Sequence, residues 1–576
     1  MKITTARRIS QVFFLLLLCW LAVVTTVGAK WWQHRGWPVN WLLQLDPLAA
    51  VGTLLSSHTL YAGLAWAGAT VAGTILLGRF FCGWVCPFGT IHQFFGWLGR
   101  KGKSLPRQVE ANRYRRSQSI KYYILAGLLA AAAMTPSSLL MGLLDPLPLI
   151  TRSVNLAVLP LADAGAQKLS TTPRFYEWSW LIGGMLLAAV AANFIVPRFY
   201  CRFVCPLGAM LGVLGRWSVF RIGKRGSHCT NCKLCEKDCE GACSPASQIR
   251  ISECVLCGNC LHACPHGLLA YQARKSCAGE VAGPDVTRRG LLLSIASGLA
   301  IPPLLRLSGS TEGNWNALVI RPPGSLDEKR FLDRCIRCGQ CMRVCPTNVI
   351  QPGGLANGIE GLWTPVLNNR VGTSGCQLNC AACGSVCPTA AIRPFSLDEK
   401  LGRGEFASAG PLRMGAAFVD RGRCLPWAMN IPCIVCQENC PVSPKAITVR
   451  EEFSPVAGGE FKVASASGAT IQLAGAALSP GKFASGDYFC RVADGKRVAI
   501  VANTAETVTV SAGKDWAVPA EGQTVTIQIR LQQPFVDVQA CTGCGVCEHE
   551  CPVSGLRAIR VTAENESRNR EHSLLL

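Results

Sequence analysis

The spacing of its cysteines constrains this chain more than any other feature. Of 576 residues 32 are cysteine, and most stand in tight groups that end in proline. The runs Cys229-x2-Cys232-x2-Cys235-x3-Cys239 and Cys254-x2-Cys257-x2-Cys260-x3-Cys264-Pro265 have bacterial ferredoxin spacing. Three close thiolates grip three corners of an iron–sulfur cubane, and the fourth thiolate comes from the partner motif. The swap predicts Cys229, Cys232, Cys235 with Cys264, and Cys254, Cys257, Cys260 with Cys239. Cys239 lacks the following proline, however, and Cys243, in Cys243-Ser244-Pro245, competes with it as fourth ligand.

Four more motifs follow: Cys335, Cys338, Cys341, Cys345-Pro346; Cys376, Cys380, Cys383, Cys387-Pro388; Cys424, Cys433, Cys436, Cys440-Pro441; and Cys541, Cys544, Cys547, Cys551-Pro552. The second and third of these have longer first spacers than the simple pattern. A single such motif is compatible with zinc, but six in one chain, five of them closed by proline, predict about six [4Fe-4S] clusters. Disulfide frameworks belong to small secreted chains and do not repeat in this way. The scattered Cys19, Cys277 and Cys490 read as small buried hydrophobes. None of the eight histidines lies inside an apolar stretch and no Cys-x-x-Cys-His occurs, so no haem is expected.

A mean hydropathy of +0.26 places part of the chain out of water. Four apolar stretches are long enough to cross a bilayer as helices: Gln11 to Ala29, Leu60 to Gly78, Tyr122 to Leu144 and Trp178 to Val196. Arg7 and Arg8 precede the first as they would a signal peptide, but no small-residue cleavage site leads into a soluble domain, so this helix is read as retained. The net charge of +22 gathers beside these stretches, which argues for membrane orientation and against nucleic-acid binding. Arg79, Arg100, Lys101, Lys103, Arg107, Arg113, Arg115, Arg116 and Lys121 lie between the second and third stretches against the single acid Glu110. By the positive-inside rule that loop and both ends of the section are cytoplasmic. The loops from Lys30 to Thr59 and from Asp145 to Glu177 are expected to face outward.

The membrane section repeats itself. Leu45-Asp46-Pro47-Leu48 recurs as Leu144-Asp145-Pro146-Leu147, and the run from Arg79 to Gly89 recurs from Arg198 to Gly208. Each copy ends in a Cys-x3-Cys-Pro loop, so Cys82, Cys86, Cys201 and Cys205 should converge as a metal site, a redox dithiol pair or a docking surface, unless they only shape tight turns. Asp46, Asp145 and His58 are the candidate proton acceptors for a quinol at the outer face, although Asp-Pro pairs also serve as turn formers.

Further on, Thr287-Arg288-Arg289-Gly290-Leu291-Leu292 opens a weaker apolar stretch to Leu305. It looks like a twin-arginine export signal, which moves folded domains with cofactors inserted. A fifth crossing here puts the last four motifs outside; a merely buried helix would leave all six cytoplasmic. The expected fold is therefore multi-domain. It comprises an α-helical membrane bundle of four helices in two repeated hairpins (1–215), a cytoplasmic α+β two-cluster ferredoxin (216–280) and the fifth segment (281–310). A periplasmic four-cluster ferredoxin-like domain (311–453 and 535–562) follows, interrupted by a small β domain (454–534) and trailed by a polar tail (563–576). The insert is either a decorated loop or a docking module.

These motifs, in this order, resemble the membrane quinol-dehydrogenase subunit of periplasmic nitrate reductase systems (NapH type) fused to a periplasmic iron–sulfur companion of the NapG/MauM type. Related membrane sections occur in nitrous-oxide reductase accessory proteins and cytochrome-oxidase assembly proteins, so the resemblance supports electron transfer more than any named acceptor. It implies a multi-pass protein of a bacterial inner membrane that takes electrons from the quinone pool to a periplasmic partner, such as a reductase or cytochrome. The alternative is an accessory or maturation protein for a partner metalloenzyme. It further implies nested pairing outside: Cys335, Cys338, Cys341 with Cys551; Cys541, Cys544, Cys547 with Cys345; Cys376, Cys380, Cys383 with Cys440; and Cys424, Cys433, Cys436 with Cys387.

Overall fold

In the computed structural model, which describes residues 3–26, 38–134, 138–166, 174–226, 229–305, 316–513 and 516–568, the first apolar stretch folds as α1 (Ile3–Val24). Among the described residues it is the one helix long and apolar enough to cross a membrane. The stretches predicted at 60–78 and 178–196 form shorter apolar helices, Ala62–Leu77 and Ser179–Phe194. We label the principal helices α2 (Pro47–Ser57), α3 (Ala67–Leu77), α4 (Pro87–Leu98), α5 (Ile120–Met134), α6 (Pro146–Ser153), α7 (Ser179–Ala191), α8 (Pro206–Gly215) and α9 (Arg288–Leu305).

The segments expected to face outward are packed helices and not open loops. They carry α2 and α6, whose Leu48, Leu147, Leu149 and Ile150 are almost wholly buried in the same core as α1 and α8. In α2 the reason is its leucine and alanine content, which leaves little polar face to present; α6 buries Arg152 as well, whose guanidinium donates to the Gly142 carbonyl at 2.9 Å. Each begins on proline with the preceding aspartate as N-cap, Asp46 accepting from Leu48 and Ala49 and Asp145 from Leu147.

The chain divides into two units, Met1–Thr373 with Asn379–Leu412, and Ser374–Leu378 with Arg413–Leu576. In the first, α9 runs beside α5 in the same direction. Thr287 N donates to Tyr123 Oη (2.8 Å), and further along a Cβ on Gly298 would lie 2.2 Å from the Gly127 carbonyl. Small residues let the two backbones approach closely. At the start of α5, Lys121 pairs with Glu253, the residue before the 254–264 motif; beyond its end, Ser138 Oγ donates to the Cys335 carbonyl at 2.6 Å. The two cysteine-rich regions of this unit thus stand at opposite ends of one helix.

The insert in the second unit is a closed six-stranded barrel of β1 (Ile447–Ser467), β2 (Thr470–Leu473), β3 (Tyr488–Arg491), β4 (Arg497–Asn503), β5 (Thr507–Val510) and β6 (Thr524–Val536), in the order β3-β4-β5-β2-β1-β6. Its stem strands reach past the expected 454–534 limits, with Ile447 paired to Val536. Cys490 is buried in its core. The expected polar tail is folded at its start: Asn565 and Glu566 are buried, and Ser567 N donates to the Arg413 carbonyl at 3.0 Å. Residues 569–576 lie outside the described part.

Candidate functional site: converging thiols

Most motifs wrap their cysteines in the same way. The residues just before and just after the second cysteine are left-handed in four of them: Asn231 and Lys233, Leu256 and Gly258, Arg337 and Gly339, Gly543 and Gly545. Non-glycine residues held there carry conformational strain, which is tolerated where a site over-determines the loop. The turn directs successive backbone N–H groups inward, the arrangement that suits an anionic cluster. The eight-residue spacer after Cys424 achieves closure differently, by folding into the helical turn Leu425–Ala428.

Cys229, Cys232, Cys235 and Cys264 line one cavity. Cys239 faces Cys254, Cys257 and Cys260, and Cys243 meets Cys239, at 3.4 Å between sulfurs, and Cys254. Outside, the nested pairing is overturned. Cys335, Cys338 and Cys341 face Cys387; Cys424, Cys433 and Cys436 share a cavity with Cys551; Cys541, Cys544 and Cys547 face Cys440. Consecutive motifs pair because each pair closes its own sheet. Segments before the first motif and after the second meet as Arg221–Lys224 with Leu269–Gln272, as the bridge Ser325–Ile392, and as Ala416–Val419 with Ile559–Thr562. In none of these groups do the sulfurs close on one ion; among the described residues no set of three or more His, Cys, Asp or Glu is arranged to hold one. A cubane spreads its four ligands over separate irons.

The two Cys-x3-Cys-Pro loops come together. Cys82, Cys86, Cys201 and Cys205 lie within electrostatic reach of one another, all as free thiols. Proline starts the following helix in each loop, and the sulfurs of Cys86 and Cys205 accept from Gly89 N (3.4 Å) and Gly208 N (3.1 Å). Burial pushes the Cys86, Cys201 and Cys205 thiols up. The arginines that open the two repeats cross over: Arg198 donates to the carbonyls of Gly89 (3.2 Å) and Cys82 (3.5 Å), and an Arg79 nitrogen lies 2.9 Å from where a Cβ on Gly208 would stand. Arg198 also pairs with Glu240 at 3.2 Å, as does Arg7, and Trp84 Nε1 donates to the Leu256 carbonyl. Burial raises the Glu240 carboxyl, but Arg198 and Arg7 outweigh it and hold it below the usual range. Sequence reasoning missed these partners, although Arg79 and Arg198 occupy equivalent positions of the repeat it found.

Asp46 and Asp145, both buried, meet side chain to side chain. Among the described residues Asp46 Oδ2 has no hydrogen-bond partner. His58 is not with them. It is exposed and caps the far end of α2, about 18 Å along the helix axis from Asp46.

Residues 59–106 and 177–225 each match a 4Fe-4S binding domain family, and residues 329–351 match a second family of the same description. The chain carries 4Fe-4S binding domains. It is 29% identical over 246 residues to the regulatory protein NosR of Pseudomonas aeruginosa, covering 39% of this chain and 30% of NosR. It is 27% identical to NirI of Paracoccus denitrificans, over 39% of this chain and 32% of NirI, and 26% identical to the ferredoxin-type protein NapH of Escherichia coli, over 40% of this chain and 75% of NapH. The chain thus spans about a third of NosR and of NirI. No solved structure matches it.

Proposed function

We propose that this chain is a multi-pass inner-membrane protein that passes electrons from quinol to an acceptor on the other side of the membrane. The observation that carries this reading is the placement of two cysteine-rich regions at opposite ends of α5, with α9 running alongside. Clusters of the [4Fe-4S] kind, when bound, take up and release one electron at a time. In this reading the motif cysteines are their ligands, grouped as the structure groups them, with Cys239 as fourth ligand in the inner pair and Cys345 left by reciprocity for Cys380 and Cys383. In the same reading the buried Asp46 and Asp145 carboxyls, which lie together, accept the protons that a quinol releases.

Adding a quinol to the anaerobically purified protein in detergent tests this. Electron paramagnetic resonance should show reduced-cluster signals at the quinol's expense; silence with quinol, when dithionite reduces the clusters fully, overturns it. A second reading, an accessory role for a partner metalloenzyme, draws on the similarity to NosR, a regulatory protein. It expects that silence.

A further inference from the structure

We propose that the loop around Cys229 and Cys232 is the docking port for a second source of electrons, a small water-soluble one-electron carrier with an acidic face. The inference goes beyond the quinol reading and shares with it the assignment of the motif cysteines as cluster ligands. Of the two inner groups, Cys254, Cys257 and Cys260 are buried, whereas Cys229 and Cys232 are exposed and Cys264 is half-buried. A cluster held by the exposed group has an edge at the protein surface, where a docked carrier comes close to it. Cys235 of the same group lies within electrostatic reach of both Cys264 and Cys239, so the exposed group adjoins the buried one.

The charges around this edge are mostly of one sign. Lys224 and Lys233 line the same cavity as the four thiols. The exposed Arg225 follows, its backbone N–H donating to the carbonyl of Leu268, another lining residue, at 2.9 Å. The long basic loop reaches the same place: its helix Leu105–Ala111 packs against the turn Leu234–Lys237, and Arg100 and Asn112 donate to the Lys237 carbonyl at 3.1 and 2.5 Å. Lys103 and Arg107 of that loop are exposed. Its one acid, Glu110, is taken up by Arg113 at 3.8 Å. Of the acids between 221 and 264, Glu240 and Glu253 are buried in ion pairs with Arg7, Arg198 and Lys121. That leaves the half-buried Glu236 and Asp238 against Lys103, Arg107, Arg225, Lys233 and Lys237. Among the described residues none of these five cations is held in an ion pair.

Unpaired surface cations select an acidic partner and hasten its arrival, since steering by opposite charge raises association rates by roughly 10- to 1,000-fold. Lipid headgroups would call for the cations alone. The exposed thiols among them favour a redox carrier instead. Encounters between redox proteins are transient and bury less than about 1,200 Å², so an open rim suffices and no deep groove is needed. In each encounter the reduced carrier loses one electron and the exposed group's cluster gains it. No bond is made or broken and no proton moves.

The test uses the anaerobically purified full chain and an acidic flavodoxin as the carrier. Oxidised flavodoxin should bind at low salt, and its hydroquinone should reduce the clusters on mixing. Affinity and rate should both fall at least tenfold between roughly 10 mM and 1 M salt, over which the screening length shrinks from about 30 to about 3 Å. R107E/R225E should lose at least tenfold in both while keeping the iron content and the dithionite-reduced resonance signals of the wild type. If that variant loses its iron, R107Q/R225Q and the wild-type salt series decide. Binding and reduction that ignore salt, or that are absent although dithionite reduces every cluster, overturn the port and leave the quinol reading standing. Absence of quinol-linked reduction strikes that reading alone. Reconstitution into vesicles separates the remaining source of attraction: flavodoxin binding should survive in anionic lipid as in neutral lipid. If anionic lipid abolishes it, the cations serve the membrane surface and the proposal falls.

Discussion

Single residues decide which cluster a thiol belongs to. Replacing Cys387 by serine should extinguish the signal that depends on Cys335, Cys338 and Cys341, and C551S the signal that depends on Cys424, Cys433 and Cys436, each leaving the others intact; resonance spectra of the single variants check this. The inner pair gives the parallel expectation that C239S is damaging and C243S mild, because Cys239 faces all three thiols of its neighbour motif. His92, outside the predicted spans, makes a different point. Burial lowers it to about 4, against a slighter opposing effect of the Asn193 amide bonded to its Nδ1. The unfolded chain therefore binds the proton first, near pH 6.5, and the folded protein loses stability as pH falls from there towards 4. The displacement corresponds to about 3 kcal/mol. Melting curves of H92Q in detergent should lack most of that slope and match the wild type above pH 7. That neighbouring cysteines of a motif are gathered by one turn was legible in the sequence, because spacing is local. Their outer pairing was not, since it depends on which distant segments close a sheet.

At the level of elements, what the sequence conveyed was the repeat and its apolar runs; what it could not convey was that the segments between those runs are packed helices, α2 and α6. Hydropathy measures how apolar a segment is and says nothing of whether it spans or folds back, and Leu45-Asp46-Pro47-Leu48 reads equally well as a surface turn or as a capped helix start. His58 was grouped with the two aspartates only because α2 was read as a loop; as a helix it carries His58 to the opposite end. The fifth stretch is where packing adds most. Gly127 and Gly298 allow α5 and α9 to touch, and G298L would drive a side chain into the Gly127 carbonyl. Overpacking of this kind typically removes about 1–3 kcal/mol. The variant should melt earlier in detergent, and a reporter fused after Leu576, expected to be periplasmic in the wild type, should lose its uniform placement. Reporters near Lys103 and Lys224 should remain cytoplasmic in both proteins. A wild-type reporter after Leu576 that reads cytoplasmic would remove α9 as a crossing.

For the molecule as a whole, the barrel asks whether the cluster-bearing part of the second unit needs its insert. The motifs on either side of it, 424–440 and 541–551, exchange their fourth cysteines, so the barrel interrupts one ferredoxin-like unit in sequence. It does not interrupt it in space: β1 and β6 leave that unit as a paired ladder, Ile447 with Val536 up to Pro455 with Gln528, and stay paired past a register shift as neighbours in the barrel, Glu460 with Thr526 to Lys462 with Thr524. A ladder already in register fixes the distance between its strands, so a two-residue turn can join them there as well as 72 residues do, and closure entropy favours the shorter connection. The barrel also has its own core, of Ile471, Val508, Val525 and Ile527 among others, whose burial does not depend on the motifs. Replacing residues 456–527 by Asn-Gly should therefore leave iron content and cluster signals unchanged and the melting of the remainder little affected. If the clusters of Cys424, Cys433, Cys436 and of Cys541, Cys544, Cys547 disappear on excision, the barrel is part of their scaffold. If they persist while delivery of electrons to a soluble acceptor slows, the barrel's contribution lies in meeting that acceptor, and the two outcomes are separated by measuring iron and turnover on the same preparation.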